Sequence, residues 1–118
     1  MNDLPVLDPK PLRDLLDLGA APELIHELIT LVQEDVPIRM AMLRTALAAS
    51  DAQQIMMEAH QLKGALGNLG LVRFADLASR IEACAREGHL EGAPLLAEAL
   101  PAAYDEALRA LAAAYPPA

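Results

Sequence analysis

The segment EAHQLKGALGNLG, residues 58–70, combines strong helix formers with one histidine and three glycines. A glycine in a helix interior costs roughly 1 kcal/mol relative to alanine, so a chain rich in Ala, Leu and Glu needs a reason to place one there. Upstream, Asp51 fits an N-cap and Gln54 follows three residues later, as in a capping box. This pattern predicts a helix that runs from there to Gly67 or Leu69.

Helical spacing separates a buried side of this helix from an exposed one. The predicted buried stripe consists of Ile55, Ala59, Leu62 and Leu66. At about 100° per residue, His60 lies roughly 130° from the centre of that stripe and faces solvent. Gly64 and Gly67 follow on the histidine's own face and leave the surface beside the ring bare for another protein. Lys63 can bring an ammonium near an anion on the ring, and Met56 joins the contact surface.

A carboxylate on the next helix is the natural partner for this histidine. The turn GNLG leads into LVRFADLASRIEACAREG, a fourth helix ended by Gly88. Its predicted core stripe consists of Phe74, Leu77, Ala78, Ile81 and Ala85. Glu82 lies roughly 100° from that stripe, within about one helical turn of His60 in an antiparallel hairpin. It could orient the imidazole so that one nitrogen acts as a nucleophile, or it could be a solvated flank residue.

The rest of the chain completes an all-α fold. A short first helix has Pro11 near its start and Gly19 just past its end, and a long second helix over residues 21–50 is expected to bend at Pro37. The predicted apolar face of that helix consists of Leu24, Leu28, Leu31, Val32, Ile38, Met42 and Leu47. A fifth helix is expected from Pro94 to about Ala114, kinked at Pro101. The chain is predicted to be an antiparallel up-down-up-down four-helix bundle with a short N-terminal helix across one end.

Length, charge and hydropathy limit the number of domains, the class of partner and the location that we expect. The 118 residues fit one domain, residues 1–118, and the 9 Lys and Arg against 17 Asp and Glu give a net charge of -8. A nucleic-acid backbone or an anionic membrane would repel such a chain, so a protein partner is expected. The start MNDLPVLDPK lacks the layout of a signal peptide, and no apolar run approaches the ~20 residues that span a bilayer. We therefore expect a cytoplasmic monomer with Cys84 as a small core or boundary residue.

The stretches AHQLKGALGNLG and LASRIEACAREG together resemble the signature of histidine-containing phosphotransfer (HPt) domains. The resemblance covers essentially the whole chain, including EDVP and the aspartate before the histidine helix. It implies that His60 accepts and donates a phosphoryl group, that Lys63 steadies the phosphate, and that the small residues make room for a receiver domain. Glu82 occupies the position of a family Gln or Glu that contacts the imidazole. Pro101, inside the last helix, is the main departure from the family pattern.

The resemblance implies a response-regulator receiver domain and a sensor histidine kinase or hybrid kinase as partners. The sequence has no Gly-rich nucleotide loop and no carboxylate cluster suited to Mg²⁺, so we expect a phosphocarrier with no ATP site, cofactor or metal of its own. The first alternative is a helical adaptor that uses the same face without phosphorylation. The second is a metal or proton-transfer enzyme centred on His60 and Glu82. The initiating Met and the full set of helices favour a free-standing protein.

Overall fold

The computed structural model describes residues 3–116, and the regular structure within that range is helical. The helices are, in chain order, α1 (Lys10–Asp17), α2 (Pro22–Ala48), α3 (Ala52–Gly67), α4 (Val72–Glu87), α5 (Ala93–Glu98) and α6 (Leu100–Ala114), with a 3₁₀ turn at Leu90–Gly92. The prediction of an all-α fold is confirmed. Helices α2, α3 and α4 pack against one another in sequence, α4 packs against α5 and α6, and α2 contacts both of these last helices. Short turns join α2, α3 and α4, so consecutive helices run in opposite directions.

The ends of α3 and α4 follow from local chemistry. The Asp51 side chain accepts a hydrogen bond from the Gln54 backbone N–H at 3.1 Å, which satisfies one of the free donors in the first turn of α3. The Gln54 side chain does not complete the capping box, because its amide donates to Glu58 at 2.6 Å instead. Gly88 ends α4 in the left-handed region with φ 79°.

The buried stripes predicted for α3 and α4 are confirmed. Ile55, Ala59, Leu62 and Leu66 are at most 1% exposed. On α4 the predicted residues Phe74, Ala78, Ile81 and Ala85 are buried, and Leu77 is half-buried against the same core. The two helices approach closely at Gly67, where an added Cβ would lie 3.3 Å from the Ala75 Cβ. These contacts fix the height of α3 against α4, and therefore the height of His60 against Glu82.

The apolar face predicted for α2 is wrong at three of its seven positions. Its buried residues are Ile25, Val32, Val36, Met40, Leu43 and Ala46. Leu31, Ile38 and Met42 are instead 58%, 62% and 44% exposed. Apolar residues occur on two sides of α2, and the spacing alone could not tell which side faces the core. The helix continues through Pro37 as one element, although the proline has no N–H to donate to the Gln33 carbonyl.

The predicted fifth helix is two helices. α5 ends at Glu98 and α6 begins at Leu100, so that Pro101 lies in the first turn of α6. A proline N has no hydrogen to donate to the carbonyl four residues earlier, whereas the first turn of a helix needs no such donor. The break therefore falls just before Pro101.

The N-terminal segment crosses the end of the bundle that carries the α3–α4 turn. The Asp8 backbone N–H donates to the Gly70 carbonyl at 2.7 Å, and Leu12 of α1 is buried in the core. Gly70 has φ 88°, and a Cβ there would clash with the Asp8 carbonyl oxygen. The turn that sets the α3–α4 hairpin is thus held from outside by the chain's own N-terminal segment.

Candidate functional site

His60 projects from α3 into solvent, as the helical wheel predicts. Its side chain is 62% exposed, although the residue before it, Ala59, is fully buried. His60 and Gly64 line an open groove of about 790 Å³ between α2 and α3. A Cβ added at Gly64 would meet no atom within 4 Å beyond the neighbouring backbone of α3 itself, so the space beside the ring is open.

Glu82 of α4 holds one nitrogen of this ring. Its side chain is only 7% exposed, and its Oε2 accepts a hydrogen bond from His60 Nδ1 at 2.9 Å. The sequence placed Glu82 on the flank of α4 and left open whether it is solvated. The structure places it under the exposed ring, so the two predicted residues are brought together across the α3–α4 hairpin.

The protonation of Glu82 decides which ring nitrogen carries the proton. Burial is the largest influence and raises the pKa of the Glu82 carboxyl, but the hydrogen bonds and charges of Lys63 and His60 together lower it below its usual range. Glu82 is therefore ionised at neutral pH and can only accept hydrogen bonds. His60 Nδ1 must carry the proton, and the lone pair of the neutral ring lies on Nε2, the free nitrogen.

Lys63 forms an ion pair with the same carboxylate. Its Nζ is 3.1 Å from Glu82 Oε1, and its side chain is 37% exposed. The sequence predicted an ammonium beside the ring, and the structure adds that Glu82 is its partner. Lys63 is thus one turn from His60 along α3 and shares its acceptor.

Arg86 is a fourth member of this cluster that the sequence reasoning missed. Its Nη2 is 3.1 Å from Glu82 Oε2, one turn further along α4. The i,i+4 spacing of Glu82 and Arg86 is the signal that could have found it. We call His60, Lys63, Glu82 and Arg86 the histidine cluster.

The other two predicted contact residues have different surroundings. Gly67 faces Ala75 of α4, so the close approach of two helices is itself a reason for a glycine there. Met56 is half-buried and packs against the hydrophobic core. Neither residue is part of the groove that contains His60 and Gly64. A partner-binding role for Met56 and Gly67 stays a prediction.

The groove beside His60 has an apolar wall on α2. Leu31 and Ile38 line it, and both are more than half exposed. Exposed apolar side chains that together form a patch are typical of a contact surface. Leu31 and Ile38, which were predicted on the buried face of α2, therefore belong to the surface around the histidine.

A second polar pair crosses from α2 to α3 near the same groove. Glu58 is buried, and its Oε1 lies 3.6 Å from Nη1 of Arg39, a residue that lines the groove. Arg39 also pairs with Asp35 at 2.8 Å. These contacts connect the wall of the groove to the helix that carries His60.

The remaining histidines lack comparable surroundings. His26 Nε2 lies 3.0 Å from the Pro116 carbonyl oxygen, and His89 is exposed and 3.8 Å from Glu91. Cys84 is half-buried and free. Over residues 3–116, no group of three or more His, Cys, Asp or Glu side chains is arranged to hold a metal ion. None of the helices described is long and apolar enough to cross a membrane.

Comparison with known proteins identifies the fold and the family. The family model of the Hpt domain matches residues 27–113, which contain α3, α4 and the whole histidine cluster. Among solved structures, the crystal structure of histidine-containing phosphotransfer protein B from Pseudomonas aeruginosa PAO1 is similar, with a TM-score of 0.77 and 29% sequence identity over 96% of both chains. No curated protein matches the chain. Because the family model covers most of the chain, including the exposed histidine and its buried carboxylate, the chain belongs to the Hpt domain family.

Proposed function

We propose that this chain is a phosphotransfer protein of a phosphorelay that accepts a phosphoryl group on Nε2 of His60. The proposal rests on the exposure of the His60 ring and on the engagement of one of its two nitrogens. The His60 side chain is 62% exposed, its Nδ1 is engaged by Glu82 at 2.9 Å, and Nε2 is left as the nucleophile. Membership of the Hpt family and the likeness to a histidine-containing phosphotransfer protein support the same function.

The transfer step follows from this tautomer. The Nε2 lone pair attacks the phosphorus of an aspartyl phosphate on a receiver domain, and an N–P bond forms. The P–O bond to the aspartate breaks, and its electron pair leaves with the aspartate carboxylate. The ring keeps its Nδ1 proton and becomes positively charged, so the ionised Glu82 beside it stabilises the product ring. The same step in reverse returns the phosphoryl group to a receiver.

Lys63 would act on the phosphoryl group. An ammonium one helical turn from His60 can reach the oxygens of a phosphoryl group on the ring and neutralise part of their charge. In the unphosphorylated protein this ammonium is 3.1 Å from Glu82. The proposal therefore includes a movement of Lys63 from the carboxylate towards the phosphate.

The surface around the groove is the proposed site for the receiver domain. Gly64 keeps the approach to the ring open, and Leu31 and Ile38 offer apolar area next to it. Interfaces of this kind have an apolar centre and a polar rim. Met56 and Gly67 are proposed as outlying contacts of the same surface.

The proposed partners are those expected of a member of the Hpt domain family. We propose that ATP is bound by a sensor histidine kinase or hybrid kinase and that the second partner is the receiver domain of a response regulator. On this account the chain is a carrier without an ATP site or cofactor, and it works as a cytoplasmic monomer with a single Hpt domain over residues 1–118.

A transfer assay tests the proposal. The wild-type chain is incubated with receiver domains phosphorylated by radiolabelled acetyl phosphate, alongside His60→Gln and the matched variants His26→Gln and His89→Gln. We expect acid-labile label on the wild type and on both control variants, and none on His60→Gln.

The same assay distinguishes the alternatives. Receiver domains that bind the folded chain without labelling it would favour the helical adaptor and overturn the proposal. Label that persists in His60→Gln would reject His60 as the acceptor.

A further inference from the structure

The carboxylate of Glu82 has more basic partners than the orientation of one imidazole requires. Its Oε2 contacts His60 Nδ1 at 2.9 Å and Arg86 Nη2 at 3.1 Å, while its Oε1 contacts Lys63 Nζ at 3.1 Å. Its side chain is 7% exposed. A carboxylate with so little contact to water depends on such partners, and losing one of them is costly.

The Lys63 ammonium cannot pair fully with both the Glu82 carboxylate and a phosphoryl group on His60. This ammonium holds Glu82 Oε1 in the unphosphorylated protein, and a dianionic phosphoryl group on Nε2 would draw it away. If Lys63 were the only cation on Glu82, each phosphorylation would leave the buried carboxylate with the imidazole alone. The carboxylate would then lie close to a second anion, with the positive charge of the phosphorylated ring as its one remaining counter-charge.

Arg86 provides Glu82 with a second cation that can stay in place when Lys63 moves. It reaches Glu82 from one turn further along α4, so the contact lies within one helix and does not depend on α3. Its side chain is 58% exposed, and its Nη2 lies 3.1 Å from Oε2. The permanent charge of a guanidinium makes it a suitable fixed counter-ion.

We propose that Arg86 is a positioning residue that holds Glu82 against His60 while Lys63 moves to the phosphoryl group. This inference rests on the proposed phosphotransfer at His60 and adds to it a division of labour between two cations. Lys63 serves the phosphate, and Arg86 serves the carboxylate. The effect of Arg86 on transfer therefore passes through the charge of Glu82.

The chain supplies a matched control on the same helix. Arg80 pairs with Asp76 at i,i+4 with a distance of 3.0 Å, and its side chain is 59% exposed. Arg80→Ala and Arg86→Ala thus remove the same kind of side chain, with the same exposure and the same type of partner, from one helix. Only Arg86 is connected to His60.

The experiment measures the rate of transfer from a receiver domain phosphorylated with acetyl phosphate, as a function of receiver concentration. We expect Arg86→Ala to lower the rate at saturating receiver roughly tenfold, with little change in the half-saturating concentration. Arg86→Lys should restore part of the rate, because it keeps the charge. Arg80→Ala should transfer like the wild type. Thermal melts of all the variants check that each one is folded.

The same Arg86→Ala substitution, made in the Glu82→Gln variant, tests whether Arg86 acts through Glu82. In Glu82→Gln, a neutral amide oxygen can still accept from Nδ1, but no carboxylate needs a counter-charge. We expect Arg86→Ala to have less than a twofold effect there. An equal effect in both backgrounds would mean that Arg86 acts on the phosphoryl group or the receiver directly, and it would overturn the inference.

Two further outcomes separate this inference from the proposed function. If the wild type is phosphorylated on His60 and Arg86→Ala transfers like Arg80→Ala, the role of Arg86 is wrong and the phosphotransfer function stands. If the wild type takes no label from any receiver, the proposed function fails first, and the inference fails with it.

Discussion

At the scale of single residues, the chemistry of this protein depends on which nitrogen of His60 carries the proton. Glu82 settles it by accepting from Nδ1 at 2.9 Å, and its ionised state is maintained by Lys63 and His60 despite burial. In the proposed function the exposed ring reacts, and the buried carboxylate fixes the tautomer in which it reacts.

The first prediction concerns Lys63. Lys63→Ala should remain folded, because it leaves the core stripe of α3 untouched, but it should slow phosphotransfer by about tenfold to a hundredfold, the usual effect of losing a hydrogen bond to a charged group. Lys10→Ala is a suitable control, since Lys10 forms an exposed i,i+4 pair with Asp14 on α1. Transfer rates and thermal melts on both variants provide the measurement. Wild-type transfer by a folded Lys63→Ala would exclude a role for this ammonium.

The second prediction concerns the pH dependence of stability. In the folded protein Lys63 and His60 hold the pKa of the Glu82 carboxyl below its usual range, although burial acts to raise it. A carboxyl with a lowered folded pKa contributes stability that is complete above its unfolded pKa and is lost as the pH falls through its folded pKa. Wild type should therefore be more stable than Glu82→Gln at pH 7, and the difference should shrink below a pH of about 4.5. Urea unfolding across the acid range measures it. A difference that stays constant or grows on acidification would contradict this sign.

At the scale of elements, α3 packs against the core with one side and exposes the candidate site on the other. One side carries the buried stripe, and the other carries His60 and Gly64 beside open space. The sequence predicts this helix well, because its apolar residues follow one stripe and its cap is an aspartate. On α2 the same method failed for Leu31, Ile38 and Met42, because apolar residues occur on both the core side and the exposed side of that helix.

The third prediction tests why Gly64 is a glycine. A Cβ at this position has free space, so Gly64→Ala should stabilise the bundle by something approaching ~1 kcal/mol. Gly64→Gln should keep the helix but fill the space beside His60, and so slow transfer far more than it changes stability. Thermal melts and transfer rates on the same two variants distinguish the effects. Strong destabilisation by both substitutions, or wild-type transfer by Gly64→Gln, would show that the open surface is not the reason for the glycine.

At the scale of the whole molecule, the fold places residues from two helices into one cluster. The sequence predicts His60 and Lys63 on one face of α3 and Glu82 at a similar height on α4. The burial of Glu82 and the approach of Gly67 to Ala75 depend on the distance between α3 and α4. No periodicity encodes that distance, because it results from packing in three dimensions. These details could therefore be found only in the folded chain.

The identity of the acceptor nitrogen is tested most directly by nitrogen and phosphorus NMR of the chain. The spectra are recorded after phosphoryl transfer from a phosphorylated receiver domain. The spectra report which histidine is modified and which of its two ring nitrogens bears the phosphorus. We expect one modified residue, His60, with phosphorus on Nε2 and a proton retained on Nδ1 in hydrogen-bond contact with Glu82. Phosphorus on Nδ1, or on His26 or His89, would contradict it.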